Sequence, residues 1–213
     1  MTDINIKLVI FDNDMTIVDS SDAILTGMNA LAKDKGLKAV TNDEVKRGIA
    51  LPLLEAFYDL WGKSDPSWVD YYRQSIVELE YVLIKPYKET IPTLLELKRK
   101  GLKLAVASNR QNPREVLEKI KLIQYFDDVI GLCDLVAPKP SPEMLNVLMQ
   151  RHCVSSDETI YVGDSLIDIK TAVSARVRGI GVTTGNYNSE EIISAGAWKS
   201  INSLWELTKC LTY

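Results

Sequence analysis

The chain has 213 residues, of which 46% are apolar and 25% are charged, as in ordinary globular proteins. This length allows one sizeable core and a small second unit. The net charge of −4 argues against nucleic acid or an anionic membrane as the main partner, so an anionic ligand would need a local positive site. The three cysteines form no CxxC pair and indicate neither a disulfide framework nor a thiolate zinc site.

The start of the sequence leaves no room for a signal peptide, because a predicted core strand begins within a few residues of Met1. No apolar run approaches the length of a membrane span. We therefore expect a cytoplasmic protein with no membrane partner. The sequence leaves its oligomeric state, monomer or homodimer, open.

The first predicted strand ends in a pair of carboxylates. The apolar run Lys7–Phe11 is typical of a strand buried on both faces, and Asp12 and Asp14 follow it. Two residues apart, the carboxylates would point the same way if the strand continued. Holding them together is costly unless a cation lies between them. The alternative interpretation is an Asp-rich turn at a strand end.

A helical segment follows this strand. Apolar residues recur at helical spacing in four stretches that lie between Asp19 and about Leu83, and no strand-like stretch interrupts them. The segment therefore reads as an all-helical insertion with an aromatic core. We predict a helical cap over residues 18–85, and a core made of residues 1–17 and 86–213.

From Pro86 onward, strands and helices alternate. Four further strands are predicted at 102–107, 128–131, 159–162 and 178–182, with helices between them. Contiguous apolar strands in this alternation predict an α/β fold: an open parallel, Rossmann-like sheet with helices on both faces.

Polar side chains follow several of these strands. Ligands of open parallel sheets bind at the carboxyl ends of the strands. Besides Asp12 and Asp14, the strand ends and one helix start carry Ser108–Arg110, Gly163–Asp168 and Lys139–Pro142. Three carboxylates, a hydroxyl, an amide and a lysine suit a phosphate and a divalent cation. Position alone does not decide whether Arg110 belongs to this set.

These segments carry a family resemblance. Phe11–Ser20, Ala107–Asn109, Lys139–Pro142 and Gly163–Asp168 resemble, in order, the four motifs of the haloacid dehalogenase-like (HAD) superfamily. The resemblance covers essentially the whole chain. It is closest to the phosphoglycolate phosphatase-like branch, because of the helical segment after the first motif and of two further stretches, Lys85–Tyr87 and Gly181–Gly185.

The resemblance implies an aspartyl-phosphate mechanism. Asp12 would be the nucleophile, and Asp14 would protonate the leaving group and then activate water. Mg²⁺ would screen the repulsion between carboxylate and phosphate. Its ligands would be Asp12, Asp164 and the main-chain carbonyl of Asp14, with Asp168 either a further ligand or the anchor of Lys139.

The remaining motif residues are expected to bind phosphate. This set comprises Thr16, Ser108, Asn109 and Lys139, and Thr16 is also expected to hydrogen-bond Asp14. Two positions depart from the branch, since Met15 and Ala50 stand where relatives usually carry glycine. Both bear on which substrate is accepted.

We therefore predict an Mg²⁺-dependent phosphatase for a small phosphorylated metabolite, such as a phosphoglycolate-like compound or a sugar phosphate. A phosphosugar mutase or a pyrophosphatase of the same superfamily remains an alternative. A non-catalytic phospho-acceptor or binding protein is a third, which the complete motif set disfavours. A dehalogenase is disfavoured because that chemistry has no need of an acid at Asp14.

Overall fold

The structure is a computed structural model that describes residues 5–49, 51–134 and 136–211. Within the described residues, the chain divides into two compact units. One runs up to Val18 and resumes at Pro86, and the other is Asp19–Lys85. The role of the second unit as a cap stays a prediction.

Eight strands occur in the described residues. In chain order they are β1 (Leu8–Phe11), β2 (Val18–Asp19), β3 (Lys85–Pro86), β4 (Lys103–Ala107), β5 (Asp128–Ile130), β6 (Thr159–Gly163), β7 (Arg178–Val182) and β8 (Lys199–Ile201). The main sheet has the order β5-β4-β1-β6-β7-β8, and its neighbouring strands are parallel. β2 and β3 form a separate two-stranded sheet. The predicted open parallel α/β sheet is confirmed, and β8 extends it beyond the predicted strands.

Ten α-helices occur in the described residues. They are α1 (Ser21–Lys35), α2 (Asn42–Gly48), α3 (Leu53–Trp61), α4 (Pro66–Leu83), α5 (Thr90–Arg99), α6 (Pro113–Lys119), α7 (Glu143–His152), α8 (Leu166–Ser174), α9 (Ser189–Ser194) and α10 (Leu207–Cys210). In the described part of the chain, none of these helices is both long enough and apolar enough to cross a membrane.

The core of the larger unit lies around β1. All four residues of β1 are fully buried, as expected for a central strand covered on both faces. Leu8 and Ile10 belong to one buried cluster with Met144, Leu145 and Leu148 of α7. This continuous apolar packing fixes the carboxyl end of β1, where Asp12 begins.

The helical unit has an aromatic core of its own. The ring of Phe57 is fully buried and lies about 6 Å from the rings of Trp61, Trp68 and Tyr72. α1 approaches α4 closely at Gly27, where an added Cβ would collide with Ile76 and Tyr72. The aromatic side chains therefore hold this unit together, as expected from its sequence.

Candidate active site

The register of the main sheet brings the predicted functional residues to one edge. Phe11, the last residue of β1, is in register with Val106 of β4 and Val162 of β6. The three strands therefore end within a residue or two of one another. Three polar side chains follow them at this edge, those of Asp12, Ser108 and Asp164. All three are buried.

Lys139 forms the centre of a buried hydrogen-bond network. Its ammonium donates to Oδ1 of Asp12 and to Oδ1 of Asp168, both at 2.6 Å, and to the hydroxyl of Tyr161 at 3.1 Å. Burial alone would lower the pKa of Lys139, but the charges of Asp12 and Asp168 outweigh it and hold this pKa well above its usual value. Lys139 is therefore a permanent cation beside Asp12.

The main chain of Lys139 is held by Asn109. The Asn109 carboxamide accepts a hydrogen bond from the Lys139 N–H at 2.8 Å and donates one to the Lys139 carbonyl at 3.3 Å. Two reciprocal bonds between one side chain and one residue fix that residue's orientation. The structure thus places Asn109 where it positions the lysine.

Asp168 has every oxygen engaged. Its Oδ1 accepts from Lys139 and from the Tyr161 hydroxyl, and its Oδ2 accepts from the main-chain N–H and the hydroxyl of Ser165. Burial would raise the pKa of Asp168, but Lys139 and these hydrogen bonds hold it below its usual value. Asp168 therefore remains ionised and anchors Lys139.

Asp164 and Asp12 have a different environment. One hydrogen bond reaches the Asp164 side chain among the described residues, from the Thr16 hydroxyl at 3.1 Å. Burial, together with the charges of Asp168 and Asp12, raises the pKa of Asp164 well above its usual value. Burial also raises the pKa of Asp12, from 3.8 to about 7, although Lys139 opposes this shift.

The carboxylates fit a divalent cation. One oxygen each from Asp12, Asp164 and Asp168 can be chosen so that the three atoms lie within 4.8 Å of one another. Burial raises the pKa values of Asp12 and Asp164, and neighbouring carboxylates raise them further, so a bound cation would offset both effects. Oxygen donors of this kind are the ligands that Mg²⁺ prefers.

Asp14 forms an ion pair with Arg110, a residue that the sequence alone neither includes in the site nor excludes from it. The Arg110 guanidinium donates to both carboxylate oxygens of Asp14, at 2.6 and 2.7 Å. Both side chains are about 15% exposed. The main-chain N–H of Arg110 also donates to the Ser108 hydroxyl at 3.1 Å. Arg110 therefore belongs to the same cluster as Asp14 and Ser108.

Two expectations, one about Thr16 and one about Ala50, differ from the structure or lie outside it. The Thr16 hydroxyl donates to Asp164 and not to Asp14, so the predicted Thr16–Asp14 bond is wrong. Met15 is buried with φ +57°, in the left-handed region that favours glycine, which explains why glycine suits this position. Ala50, the second departure from the branch, lies outside the described residues.

Tyr161 is a site residue that sequence reasoning missed. It lies in the middle of β6 and is almost fully buried. Its hydroxyl accepts from Lys139 and donates its one proton to Asp168 at 2.8 Å, with the carbonyl of Ala107 at 3.3 Å as the alternative acceptor. The available signal was a phenol within an otherwise apolar strand, since a buried hydroxyl needs a partner.

Comparison with known proteins identifies the family of the chain. The family model described as haloacid dehalogenase-like hydrolase matches residues 9–182. A phosphoglycolate phosphatase from Vibrio parahaemolyticus is 32% identical, covering 92% of this chain and 91% of the relative. A phosphoglycolate phosphatase from Aquifex aeolicus is 31% identical over 79% of this chain and 81% of the relative.

A solved structure shares the fold. The haloacid dehalogenase-like family hydrolase SP0104 from Streptococcus pneumoniae superposes with a TM-score of 0.87, covering 98% of this chain and 99% of the other, at 18% identity. The chain belongs to the haloacid dehalogenase-like hydrolase family. It is an enzyme of the hydrolase class. Within the family it falls in the phosphoglycolate phosphatase-like branch.

Proposed function

We propose that this enzyme is an Mg²⁺-dependent phosphatase that hydrolyses a small-molecule phosphate monoester through an aspartyl-phosphate on Asp12. The observation that carries the proposal is the placement of Asp12. Its carboxylate lies at the carboxyl end of β1, accepts a hydrogen bond from Lys139 and forms a carboxylate cluster with Asp164 and Asp168. A nucleophile, a cation and a metal-ligand set thus meet at one edge of the sheet.

In the first step, the Asp12 carboxylate attacks phosphorus and the leaving oxygen departs. A bound Mg²⁺, held by Asp12, Asp164 and the main-chain oxygen of Asp14, would screen the negative charges of nucleophile and phosphate and keep Asp12 ionised. Asp168, which belongs to the same carboxylate cluster, could supply a further oxygen. Its engaged oxygens favour the role of anchor for Lys139.

The phosphate oxygens need donors that are already in place. Lys139 supplies a fixed positive charge beside Asp12, and its orientation is fixed by Asp168, Tyr161 and Asn109. The Ser108 hydroxyl accepts a hydrogen bond from Arg110 and has its own proton left to donate. We assign phosphate binding to Ser108 and Lys139, supported by Asn109 and Thr16.

Proton transfer falls to Asp14. It is two residues beyond the nucleophile, so it would protonate the leaving alkoxide and then accept a proton from the water that hydrolyses the aspartyl-phosphate. The Arg110 guanidinium donates to both oxygens of Asp14, so the carboxylate has to give up part of this contact before one oxygen can carry a proton. The first step requires the neutral form, so the contact must loosen during each cycle.

The substrate class follows from the relatives and from the charge of the chain. Curated relatives at about 30% identity are phosphoglycolate phosphatases. We propose a small phosphorylated metabolite, such as a phosphoglycolate-like compound or a sugar phosphate. The cations of Lys139 and Arg110 are available to such an anion, and a bound Mg²⁺ would offset the charge of the carboxylates around them.

Phosphate release from a panel of small esters tests this function. The panel contains 2-phosphoglycolate, sugar phosphates, nucleotides and pyrophosphate, each assayed with Mg²⁺ and with chelator. We expect strong turnover of at least one monoester with Mg²⁺, none with chelator, and none by the folded Asp12→Asn variant. Turnover by Asp12→Asn would refute the nucleophile.

The same assay separates the alternatives. Turnover confined to pyrophosphate would identify a pyrophosphatase. Interconversion of sugar phosphates without net phosphate release would identify a mutase. A metal-bound protein that forms phosphoenzyme without turning over would be a phospho-acceptor.

A further inference from the structure

The loop after β7 contacts the site at two points. It begins with two adjacent threonines, Thr183 and Thr184, which are followed by Gly185. Thr184 contacts the loop after β1, Gly185 lies against Asp164, and the Thr183 hydroxyl donates to Asn202.

The first contact joins the loop to the nucleophile loop. The Thr184 hydroxyl donates a hydrogen bond to the main-chain carbonyl of Met15. Met15 has φ +57°, and this turn of the backbone lies between Asp14 and Thr16. The sulfur of Met15 also accepts from the Tyr87 hydroxyl at 3.8 Å. Thr184 therefore helps to hold a backbone conformation that a methionine rarely adopts.

The second contact is a close approach of main chain to carboxylate. A Cβ placed on Gly185 would collide with Oδ2 of Asp164 and lie within about 3 Å of its Cγ and Cβ. Gly185 does not have a positive φ, so the requirement for glycine here is one of space. The other oxygen of Asp164, Oδ1, accepts from Thr16. Asp164 thus lies between the Thr16 hydroxyl and the backbone of Gly185.

We propose that Thr184 and Gly185 are positioning residues that fix Asp164 as a metal ligand. The Asp164 carboxylate accepts one hydrogen bond from the described residues and is poorly fixed by that bond alone, so its orientation depends on what packs against it. The backbone of Gly185 packs against Asp164, and the hydrogen bond from Thr184 to Met15 ties this backbone to the loop that carries Thr16. Substitution of a residue that orients a metal ligand typically lowers metal affinity by about 10- to 100-fold. This inference rests on the metal-dependent function proposed above.

Calorimetric titration with Mg²⁺ tests the inference without any assay of activity. The variants are Gly185→Ala, Thr184→Val and Thr184→Ser, and the matched control is Thr183→Val. The Thr183 hydroxyl donates instead to the Asn202 side chain, at 3.2 Å, in an exposed contact. Thermal unfolding in chelator is measured for each protein, so that a loss of fold is separated from a loss of metal affinity.

We expect Gly185→Ala to weaken Mg²⁺ binding by roughly 10- to 100-fold and Thr184→Val by about tenfold, while both unfold in chelator near the wild-type temperature. Thr184→Ser keeps the hydroxyl and should restore wild-type affinity, and Thr183→Val should not change it. Wild-type affinity in both Gly185→Ala and Thr184→Val would overturn the inference alone. Absence of Mg²⁺ binding by the wild-type protein would overturn it together with the metal-dependent function.

Discussion

Asp164 and Asp168 lie on the same junction between β6 and α8, are similarly buried, and belong to the same carboxylate cluster. Asp168 accepts four hydrogen bonds, and its pKa is lowered. From the residues that the structure describes, Asp164 accepts one, and its pKa is raised. Partners, and not depth of burial, therefore separate a carboxylate that anchors Lys139 from one that is suited to receive a cation.

Removal of the Lys139 cation should have the largest effect on stability, because Asp168 depends on this cation and Asp164 does not accept a hydrogen bond from it. Lys139→Met leaves Asp12 and Asp168 buried without their counter-charge, which typically costs about 3–5 kcal/mol of unfolding free energy. Urea unfolding in chelator at neutral pH measures this loss. Lys98→Met is the control, because Lys98 pairs with Asp127 in a partly exposed contact worth about 1 kcal/mol or less. Equal losses in the two variants would contradict the buried network.

Stability should also depend on pH through Asp12. Its pKa is about 7 in the folded chain and 3.8 in the unfolded chain, so between these values only the unfolded chain releases this proton. The metal-free protein should therefore lose stability as pH rises through this window, by roughly 2–4 kcal/mol from this group. Asp12 faces Lys139, Asp168 and Asp14, which remain in Asp12→Asn. That variant should show a shallower decline, and an unchanged decline would contradict the burial of an unscreened charge.

The two compared carboxylates should respond oppositely to amide substitution. Asp168→Asn weakens the hold on Lys139 and should cost about 1–3 kcal/mol in chelator. Asp164→Asn removes a poorly stabilised charge and should be neutral or stabilising there. With Mg²⁺, we expect Asp164→Asn to lose most of the metal-induced rise in melting temperature. Equal destabilisation of both variants in chelator would show that the difference in partners has no consequence.

The smallest effect concerns the backbone at Met15. Met15→Gly and Met15→Ala both remove the buried side chain, but only alanine must adopt φ +57° with a Cβ. We therefore expect the glycine variant to be more stable than the alanine variant by about 1 kcal/mol, against the usual order. Urea unfolding of the two proteins side by side gives the difference. The normal order, with alanine the more stable, would mean that the turn is not strained.

The sequence predicted the central strands and most of the carboxyl-end residues for a simple physical reason. A strand buried on both faces must be apolar along its length, so polar residues mark where it ends. β8 was not predicted, because Lys199–Ile201 is a short, mostly polar stretch at the edge of the sheet. The absence of an apolar run there left no pattern to read.

Side-chain partners across the site could not be predicted in the same way. The Arg110–Asp14 pair, the donation from Thr16 to Asp164 and the contact of Thr184 with Met15 join residues far apart in the chain. The contacts between loops depend on the register of the strands, because the register decides where each strand ends at the edge of the sheet. The sequence does not show this register. A short-range partner, Asp14 for Thr16, was therefore chosen wrongly.

In the proposed mechanism, the phosphoryl group is transferred to the carboxylate of Asp12 before it is released to water. Asp14→Asn protein is mixed with p-nitrophenyl phosphate and Mg²⁺, quenched in acid, and its peptides are mapped by mass spectrometry. Nitrophenolate departs without an acid, whereas hydrolysis of the intermediate needs the missing base. We predict a phosphoryl group on Asp12 at higher occupancy than in the wild type, and none in the Asp12→Asn control. Release of nitrophenol by Asp14→Asn with no phosphoryl group on Asp12 would contradict the mechanism.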